Sequence, residues 1–213
     1  MKKINTFTLK LIAVISMVID HVGAVFFPEI DVFRILGRVA FPIFAYVLVE
    51  GFLHTSDVKK YMLRLGIFAA LSEVPYDLLF SRKVIDFEYQ NIYFTLLLGV
   101  CMMWLMSQTK SIIIQFAIVA ILNYLCGLLH FDFGAFGLLL IFVFYIFKER
   151  KTERFFLAAV ILVALTEGIQ LYAILSLFLI AFHSGEQGPK WKPFFYVFYP
   201  AHLLVLYLIS ILV

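Results

Sequence analysis

Charged side chains are scarce in this sequence of 213 residues. Asp, Glu, Lys and Arg together make up 15% of it, whereas hydrophobic residues make up 64%. A typical soluble chain has about 25% charged and 45 to 50% apolar residues, and the mean hydropathy here is +1.02. The composition therefore excludes an ordinary soluble domain and predicts a chain that lies mostly in lipid.

Cysteine is equally scarce, and no basic stripe is present. Cys101 and Cys126 both lie in apolar runs, which favours packing roles over a disulfide or a metal site. The 17 basic and 14 acidic residues lack the clustering that nucleic-acid binding needs, so we expect no nucleic-acid partner. No spacing of His, Cys or carboxylate residues matches a metal signature, and we expect no metal.

Nine apolar runs account for most of the chain, and a membrane-spanning helix needs about 20 residues. The runs lack the alternation of β-barrel strands and lie at 8–27, 35–52, 61–80, 90–106, 111–129, 133–147, 154–167, 169–182 and 194–213. The seventh and eighth runs are short and flank Glu167 and Gly168, so they form either two crossings or one re-entrant hairpin. The prediction is an all-α, polytopic transmembrane bundle of about nine segments, forming one domain over residues 1–213.

The distribution of basic residues predicts the orientation of this bundle. If the N-terminus is cytoplasmic, thirteen of the seventeen lie on the inner side, and only Arg34, Arg82 and Lys83 lie in outer loops. The excess of basic residues on the cytoplasmic side predicts N-in and C-out in the cell membrane. The first run contains Asp20 and His21 and lacks a small-residue cleavage site, so we interpret it as a retained helix, not a signal peptide.

Several polar residues interrupt the apolar runs, although a charge at the bilayer centre costs roughly 2.5 to 3.5 kcal/mol. Following the helices in and out places all of them in the outer half of the membrane: Asp20, His21, Arg38, Glu73, Asp77, Gln90, Asn91 and Thr95. They predict a polar pocket, which is the candidate substrate site.

Proton transfer is the chemistry that this pocket favours. Glu73 and Asp77 are four residues apart and share a helix face, and together with Asp20 they outnumber Arg38. We expect His21 to act as a general base that Glu73 or Asp77 orients, while Arg38 or Asn91 steadies an oxyanion. The alternative is a structural ion network that only fixes helix register.

Two further features are ambiguous. His202 follows Pro200 in the last run, so it is either catalytic or satisfies a carbonyl that the proline leaves without a donor. Near the inner face, Gly185 and Gly188 precede Lys190 and Lys192. This loop either binds phosphate or merely carries the basic residues expected at that face.

Eight motifs resemble the TraX family of integral-membrane proteins, and they follow one another in order over nearly the whole chain. They are LKLIA at 9–13, MVIDHVG at 17–23, GRVAFPIFA at 37–45, EGF at 50–52, KYMLR at 60–64, SEVPYD at 72–77, QNIYFTL at 90–96 and FYVFYPAHL at 195–203. The family is named for a conjugation-system protein associated with N-terminal acetylation of pilin. The resemblance therefore implies a membrane acetyltransferase that uses acetyl-CoA.

A looser similarity links the chain to the type 3 family of membrane acyltransferases. Those proteins have a basic residue eleven positions before a histidine, as Lys10 stands before His21, and a Pro-Phe helix that ends in Gly-Phe, as at Gly51 and Phe52. This chain departs from that pattern because it has lysine where those proteins have arginine. Of the two residues, only arginine offers a planar, bidentate group to phosphate.

The spacing of Lys10 and His21 has a physical meaning of its own, because eleven helical residues rise about 16 Å. Lys10 could hold the phosphates of acetyl-CoA at the cytoplasmic side while His21 meets an acceptor near the outer side. The acceptor would be a peptide N-terminus, a glycan or a lipid-linked molecule, and the other partners are membrane lipids. The alternatives are a proton-coupled transporter or flippase and a non-catalytic assembly factor.

The orientation can be tested with single cysteines in a variant that lacks Cys101 and Cys126. We expect Glu149→Cys to be shielded from a membrane-impermeant thiol reagent in intact cells and Val84→Cys to be labelled. The reverse pattern would contradict the orientation and move the polar pocket to the cytoplasmic half.

Overall fold

The computed structural model describes residues 4–189 and 191–213, and within these ranges it is built from helices. The α-helices are α1 Thr6–Phe26, α2 Asp31–Gly37, α3 Ala40–Leu53, α4 Val58–Phe80, α5 Ile92–Ser107, α6 Ile112–Leu128, α7 Gly134–Ile146, α8 Lys151–Ala164, α9 Leu175–Ala181 and α10 Lys192–Ser210, with a 3-10 helix at Gly168–Ile174. The all-α prediction is therefore confirmed.

Some of these helices, but not all, are long and apolar enough to cross a membrane. Three stretches of the described chain are long and apolar enough to cross a bilayer: Thr6–Phe26, Asp31–Leu53 and Pro193–Ser210. Four shorter apolar helices accompany them. Helix α4 is long, but it carries three basic residues near its start and two carboxylates near its end. The count of nine segments and the N-in orientation stay predictions.

The second apolar run folds as two helices, not one. Helix α2 ends at Gly37 and α3 begins at Ala40. Pro42 explains the break, because it has no N–H to donate to the carbonyl of Arg38 and its ring crowds that carbonyl. The break falls beside the polar residues of the candidate site.

The segment around Gly168 is also interrupted. Helix α8 ends at Ala164, and the chain continues through Gly168, whose φ of +56° favours glycine, into the 3-10 helix and the seven-residue α9. The sequence placed an interruption at this glycine. Whether the segment crosses the membrane twice or re-enters stays open.

Capping side chains fix where several helices begin. Asn5, Asp57, Asn91 and Ser111 each accept a backbone N–H from the first turn of α1, α4, α5 and α6, which satisfies donors that have no partner within the helix. Helix α1 packs on α2 and α3, while α10 packs on α4 and on α1. These packings bring the outer parts of α1, α2 and α10 together around Asp20 and His21.

Candidate functional site

Asp20 is the charged centre of the site, and two arginines bind it. One carboxylate oxygen lies 2.8 Å from Nη1 of Arg34, and the other accepts a hydrogen bond from Nη2 of Arg38. Arg38 also donates to Oε1 of Gln170 at 2.8 Å and to the carbonyl of Arg34 at 3.2 Å. This network joins α1, α2 and the 3-10 helix and has one positive charge in excess.

Gly37 allows α2 to approach Asp20 closely. A Cβ at this position would lie 2.2 Å from the Cβ of Asp20, which no side chain could tolerate. The glycine is therefore a requirement of the ion network.

His21 and His202 form the second polar feature of the site. Nδ1 of His21 lies 2.8 Å from Nε2 of His202, and Nδ1 of His202 lies 3.0 Å from the carbonyl oxygen of Phe198. A carbonyl only accepts, so Nδ1 of His202 must donate, and in a neutral pair its Nε2 must then accept from His21. This order of donors leaves Nε2 of His21 without a proton, as a general base requires.

The sequence offered a structural role for His202, namely satisfying the carbonyl that Pro200 leaves without a donor. That carbonyl belongs to Tyr196, and the hydroxyl of Tyr93 donates to it at 3.2 Å and to the carbonyl of Phe195 at the same distance. Tyr93 therefore takes this role, and His202 is available to orient His21.

A cavity of about 270 Å³ lies beside these two features, and we call it the outer cavity. Asp20, His21, Arg34, Arg38 and Asp132 supply its charged and titratable lining. Its other walls are largely aromatic and include Phe41, Tyr76, Phe80, Phe133 and Tyr199. A small polar group would find both a base and charged partners here.

A second cavity of about 180 Å³, which we call the inner cavity, lies next to the first. Its lining includes Lys10, Arg64, His54 and Gln187, and the rest is mainly apolar. The Lys10 ammonium lies 5.5 Å from the ring of Phe195, and the Arg64 guanidinium lies 5.6 Å from the ring of Tyr61. Both cavities have the same four residues in their walls: Met17, Phe44, Ile92 and Tyr199. The two cavities are therefore neighbours with a shared wall, Lys10 lining one and His21 the other.

Glu73 and Asp77 do not have the partner that the sequence suggested. Glu73 accepts hydrogen bonds from the side-chain amide and the backbone N–H of Asn91, and Asp77 accepts from the backbone N–H of Asp86 at 2.8 Å. The expectation that either carboxylate orients His21 is wrong in this geometry, because His202 occupies the bonding position at Nδ1.

The three polar residues at the start of α5, Gln90, Asn91 and Thr95, make hydrogen bonds to neighbouring parts of the chain. Asn91 caps α5 and also donates to the carbonyl of Ala69 at 2.8 Å. Thr95 donates to the carbonyl of Asp132, and the backbone of Gln90 pairs with that of residues 130 and 132. None of the three lines the outer cavity, so their predicted contact with substrate stays a prediction without geometric support.

The glycine loop near the inner face is fixed by its own contacts. Gly185 and Gly188 have φ values of +81° and +68°, and the loop carbonyls of Glu186 and Gln187 accept from the backbone of Thr6 and Phe7. Between the glycines, Gln187 lines the inner cavity. Lys190 and the side chain of Lys192 lie outside the described residues, so phosphate binding by this loop stays a prediction.

Sequence reasoning missed four residues that line the cavities: Arg34, Arg64, Asp132 and Tyr199. Arg34 was assigned to an outer loop and Arg64 to the inner face, where charges are usually solvated. Arg34 could have been found, because it lies four residues before Arg38 and shares its helix face. The position of Asp132 in the cavity depends on the pairing of two distant loops, and no local pattern indicates it.

Among the described residues, no group of three or more His, Cys, Asp or Glu is placed to hold a metal ion.

The ion network predicts unequal costs for removing its arginines. Arg38→Met should lower stability by about 3 to 5 kcal/mol, because it removes a partner of a buried carboxylate and leaves Gln170 without a donor. Arg34→Met should cost less, since the Arg34 side chain is 27% exposed and that of Arg38 only 12%. The melting temperature in detergent measures both, with Arg82→Met as the control on an exposed loop. An Arg38→Met protein as stable as the control would contradict the structural role of Arg38.

Comparison with known proteins identifies the family of this chain. The chain is 25% identical over 232 residues to "Probable fimbrial assembly protein FimC, serogroup H1" of Dichelobacter nodosus, an alignment that covers 95% of this chain and 94% of that protein. It is 28% identical over 150 residues to an uncharacterised protein of Rickettsia prowazekii, covering 68% of this chain and 56% of that one. No solved structure matches. The sequence model described as "TraX protein" matches residues 6–210, and the chain therefore belongs to the TraX family.

Proposed function

We propose that this protein is a membrane-embedded acyltransferase that moves an acetyl group from cytoplasmic acetyl-CoA to an amine or hydroxyl acceptor at the outer side of the cell membrane. One observation carries the proposal. Two neighbouring cavities share four wall residues, with Lys10 and Arg64 lining one of them and an unprotonated His21 nitrogen lining the other.

The inner cavity suits an acyl-CoA as donor substrate. Phosphate groups need cationic partners, and Lys10 and Arg64 line this cavity together. Arg64 supplies the planar fork that Lys10 lacks, which compensates for the lysine at the position where type 3 acyltransferases have arginine. The apolar wall, which includes Val14, Val47 and Leu48, suits the slender pantetheine arm.

The outer cavity suits the transfer step. Nε2 of His21 would take the proton of the acceptor N–H or O–H while the acceptor atom attacks the thioester carbonyl. The C–S bond then breaks, and the CoA thiolate takes the proton back from His21. His202 contributes by accepting the Nδ1–H bond throughout, which holds the ring and stabilises its charged form, as the orienting residue does in other nucleophile–base pairs.

Arg34 is better placed than Asn91 to steady the oxyanion that this step creates. Its Nη1 binds Asp20, while its Nε and Nη2 have no protein acceptor in the described part of the chain. Asn91 is 0% exposed and its side chain already serves Ala69, Glu73 and Tyr93. Arg38 lines the same cavity but is fully engaged with Asp20, Gln170 and Arg34.

The direct experiment uses purified protein in lipid vesicles with acetyl-labelled acetyl-CoA. We expect release of free CoA thiol together with transfer of label to an added amine or alcohol. Transport of a solute into vesicles without acyl-CoA would favour the transporter alternative. The absence of both activities in a protein that restores fimbrial assembly in cells would favour a non-catalytic assembly role. Fimbrial assembly is chosen for this test because the Dichelobacter protein is named for it.

The histidine pair predicts a graded loss of rate. His21→Ala should lower turnover by roughly 10²- to 10⁴-fold, the usual contribution of a general base, while the affinity for CoA is kept. His202→Ala should lower turnover less, because Nε2 of His21 remains present but is no longer held in one tautomer. Turnover and CoA binding are measured for both variants after their melting temperatures have been compared. Full activity in a folded His21→Ala protein would contradict the mechanism.

The donor site predicts a different pattern for Arg64. Arg64→Gln should raise the KM for acetyl-CoA by roughly tenfold, as expected from the loss of one charge-assisted hydrogen bond, and leave kcat close to that of the unchanged protein. The KM for acetyl-dephospho-CoA should differ less between the two proteins than the KM for acetyl-CoA does. Lys110→Gln is the matched control, because Lys110 is an exposed basic residue that lines neither cavity. Equal KM values for the two variants would contradict phosphate binding by Arg64.

A further inference from the structure

Asp132 lies on the loop between α6 and α7, and its position in the outer cavity is tightly fixed. The backbone N–H of Asp132 donates to the carbonyl of Gln90 at 2.9 Å, and the N–H of Gln90 donates to the carbonyl of His130 at 3.1 Å. Thr95 donates to the carbonyl of Asp132 from the start of α5. The loop is therefore held from α5 as well as from its own helices.

The backbone of this loop is also strained. His130 and Phe133 have φ values of +50° and +60°, in the left-handed region that non-glycine residues disfavour. Such positions persist where the surrounding structure enforces them, and they are frequent at functional sites. Here the strain lies on both sides of Asp132 and turns the chain so that this residue lines the cavity beside His21.

The Asp132 carboxylate has one oxygen engaged and one available. Oδ1 accepts the backbone N–H of Phe133 at 2.9 Å, whereas Oδ2 has no hydrogen-bond donor within residues 4–189 and 191–213. The arginines nearest the site are already bound to Asp20. Asp132 thus has the binding capacity for a cationic or hydrogen-bond-donating group that enters the cavity.

The titratable groups around Asp132 come from several helices. Asp20 and His21 on α1 line the cavity with it, as do Arg34 and Arg38 on α2 and in the turn after it. Tyr76 of α4 and Tyr199 of α10 line it as well, and the Cys126 thiol of α6 is close enough to be affected by its charge. Burial raises the pKa of Asp132 to about 6, an effect that the Phe133 amide and the two arginines partly oppose. Both protonation states are therefore accessible close to neutral pH.

We propose that Asp132 binds the ammonium group of an amine acceptor in the outer cavity and takes its first proton, leaving the second for His21. This inference rests on the proposed acyltransferase function, takes the amine acceptor that the resemblance to the TraX family implies, and assigns the residue that receives its first proton. An amine arrives in water as R–NH₃⁺, and it must lose one proton to expose its lone pair and a second one after it attacks the thioester. A hydroxyl acceptor loses only one. A cavity with two proton acceptors, His21 and Asp132, matches the requirement of an amine.

The protons balance over the cycle. The ammonium proton passes to the Asp132 carboxylate, and the neutral amine forms the C–N bond as the C–S bond breaks. His21 takes the second N–H proton and gives it to the CoA thiolate. The products are the amide, CoA thiol and one proton, which Asp132 releases before the next acceptor binds.

The test compares two amine probes, glycinamide and aniline. Glycinamide is largely an ammonium ion at pH 7, whereas aniline is uncharged and needs no first proton acceptor. Asp132→Asn keeps the acceptor oxygen for Phe133 and should lower the rate with glycinamide by about tenfold at pH 7, because only about a tenth of an amine with a pKa of about 8 is uncharged there. The rate for aniline should stay within about twofold of the unchanged protein. Glu88→Gln is the matched control, since Glu88 is an exposed outer-loop carboxylate that does not line the cavity.

The pH profile separates this role from a structural one. With Asp132→Asn, the glycinamide rate should rise about tenfold per pH unit until the amine deprotonates by itself, near the ordinary pKa of an α-amino group of about 8, and approach that of the unchanged protein above it. A structural defect would lower the rates for both amines at every pH. Equal glycinamide rates for Asp132→Asn and Glu88→Gln would overturn the proposal while the acyltransferase function stands.

A second measurement does not depend on turnover. Dicyclohexylcarbodiimide modifies protonated carboxyl groups in apolar surroundings, and mass spectrometry locates the modified residue. We expect modification of Asp132 at pH 6 that declines as the pH rises and that glycinamide suppresses. Modification is counted as the carbodiimide adduct plus the amide that forms when glycinamide reacts with the activated carboxyl group. If the protein releases no CoA thiol but glycinamide still protects Asp132, the acyltransferase function fails and ammonium binding stands. Labelling that glycinamide does not change would overturn the binding role.

Discussion

The pairing of the Asp20 carboxylate with two guanidinium groups is the constraint on which the site depends. A lone carboxylate at this depth in an apolar bundle would be expensive, and the arginines that compensate it come from a helix that must lie almost in contact with α1. Gly37 permits that approach, and Pro42 ends the helix at the turn from which Arg38 reaches both Asp20 and Gln170. His21 is the next residue after Asp20, so fixing the carboxylate also fixes the histidine against α10.

The site contains two separate groups of side chains, an ion network and a pair of hydrogen-bonded histidines. The carboxylate and the arginines hold α1, α2 and the 3-10 helix together, whereas the two histidines form a separate chain of hydrogen bonds with a defined direction. The two systems meet only at the wall of the outer cavity. The excess positive charge of the arginine cluster itself favours the unprotonated nitrogen on the residue adjacent to Asp20, because it disfavours a further positive charge on the ring.

Composition and run length were sufficient to predict an all-helical membrane protein, and depth along the runs was sufficient to place Asp20, His21 and Arg38 together. The pairing of side chains was not predictable in the same way. The partner of His21 lies 181 residues away, and Glu73 was a reasonable alternative until Asn91 proved to bind it. Arg34 was assigned to an outer loop and Asp132 was not singled out, because a linear sequence does not indicate that a short helix and a strained loop line the same cavity. The break between α2 and α3 was missed although Pro42 signals it, since a single run of apolar residues was interpreted as a single helix.

The histidine chain ends at the carbonyl oxygen of Phe198, within the last helix. A peptide carbonyl cannot accept and pass on a proton as a carboxylate or water chain can, so this path is closed at its far end. A proton that reaches His21 must return to the cavity from which it came. In the proposed transfer, His21 would therefore exchange protons with the outer cavity alone, and the histidine chain would provide no path for a proton along the last helix.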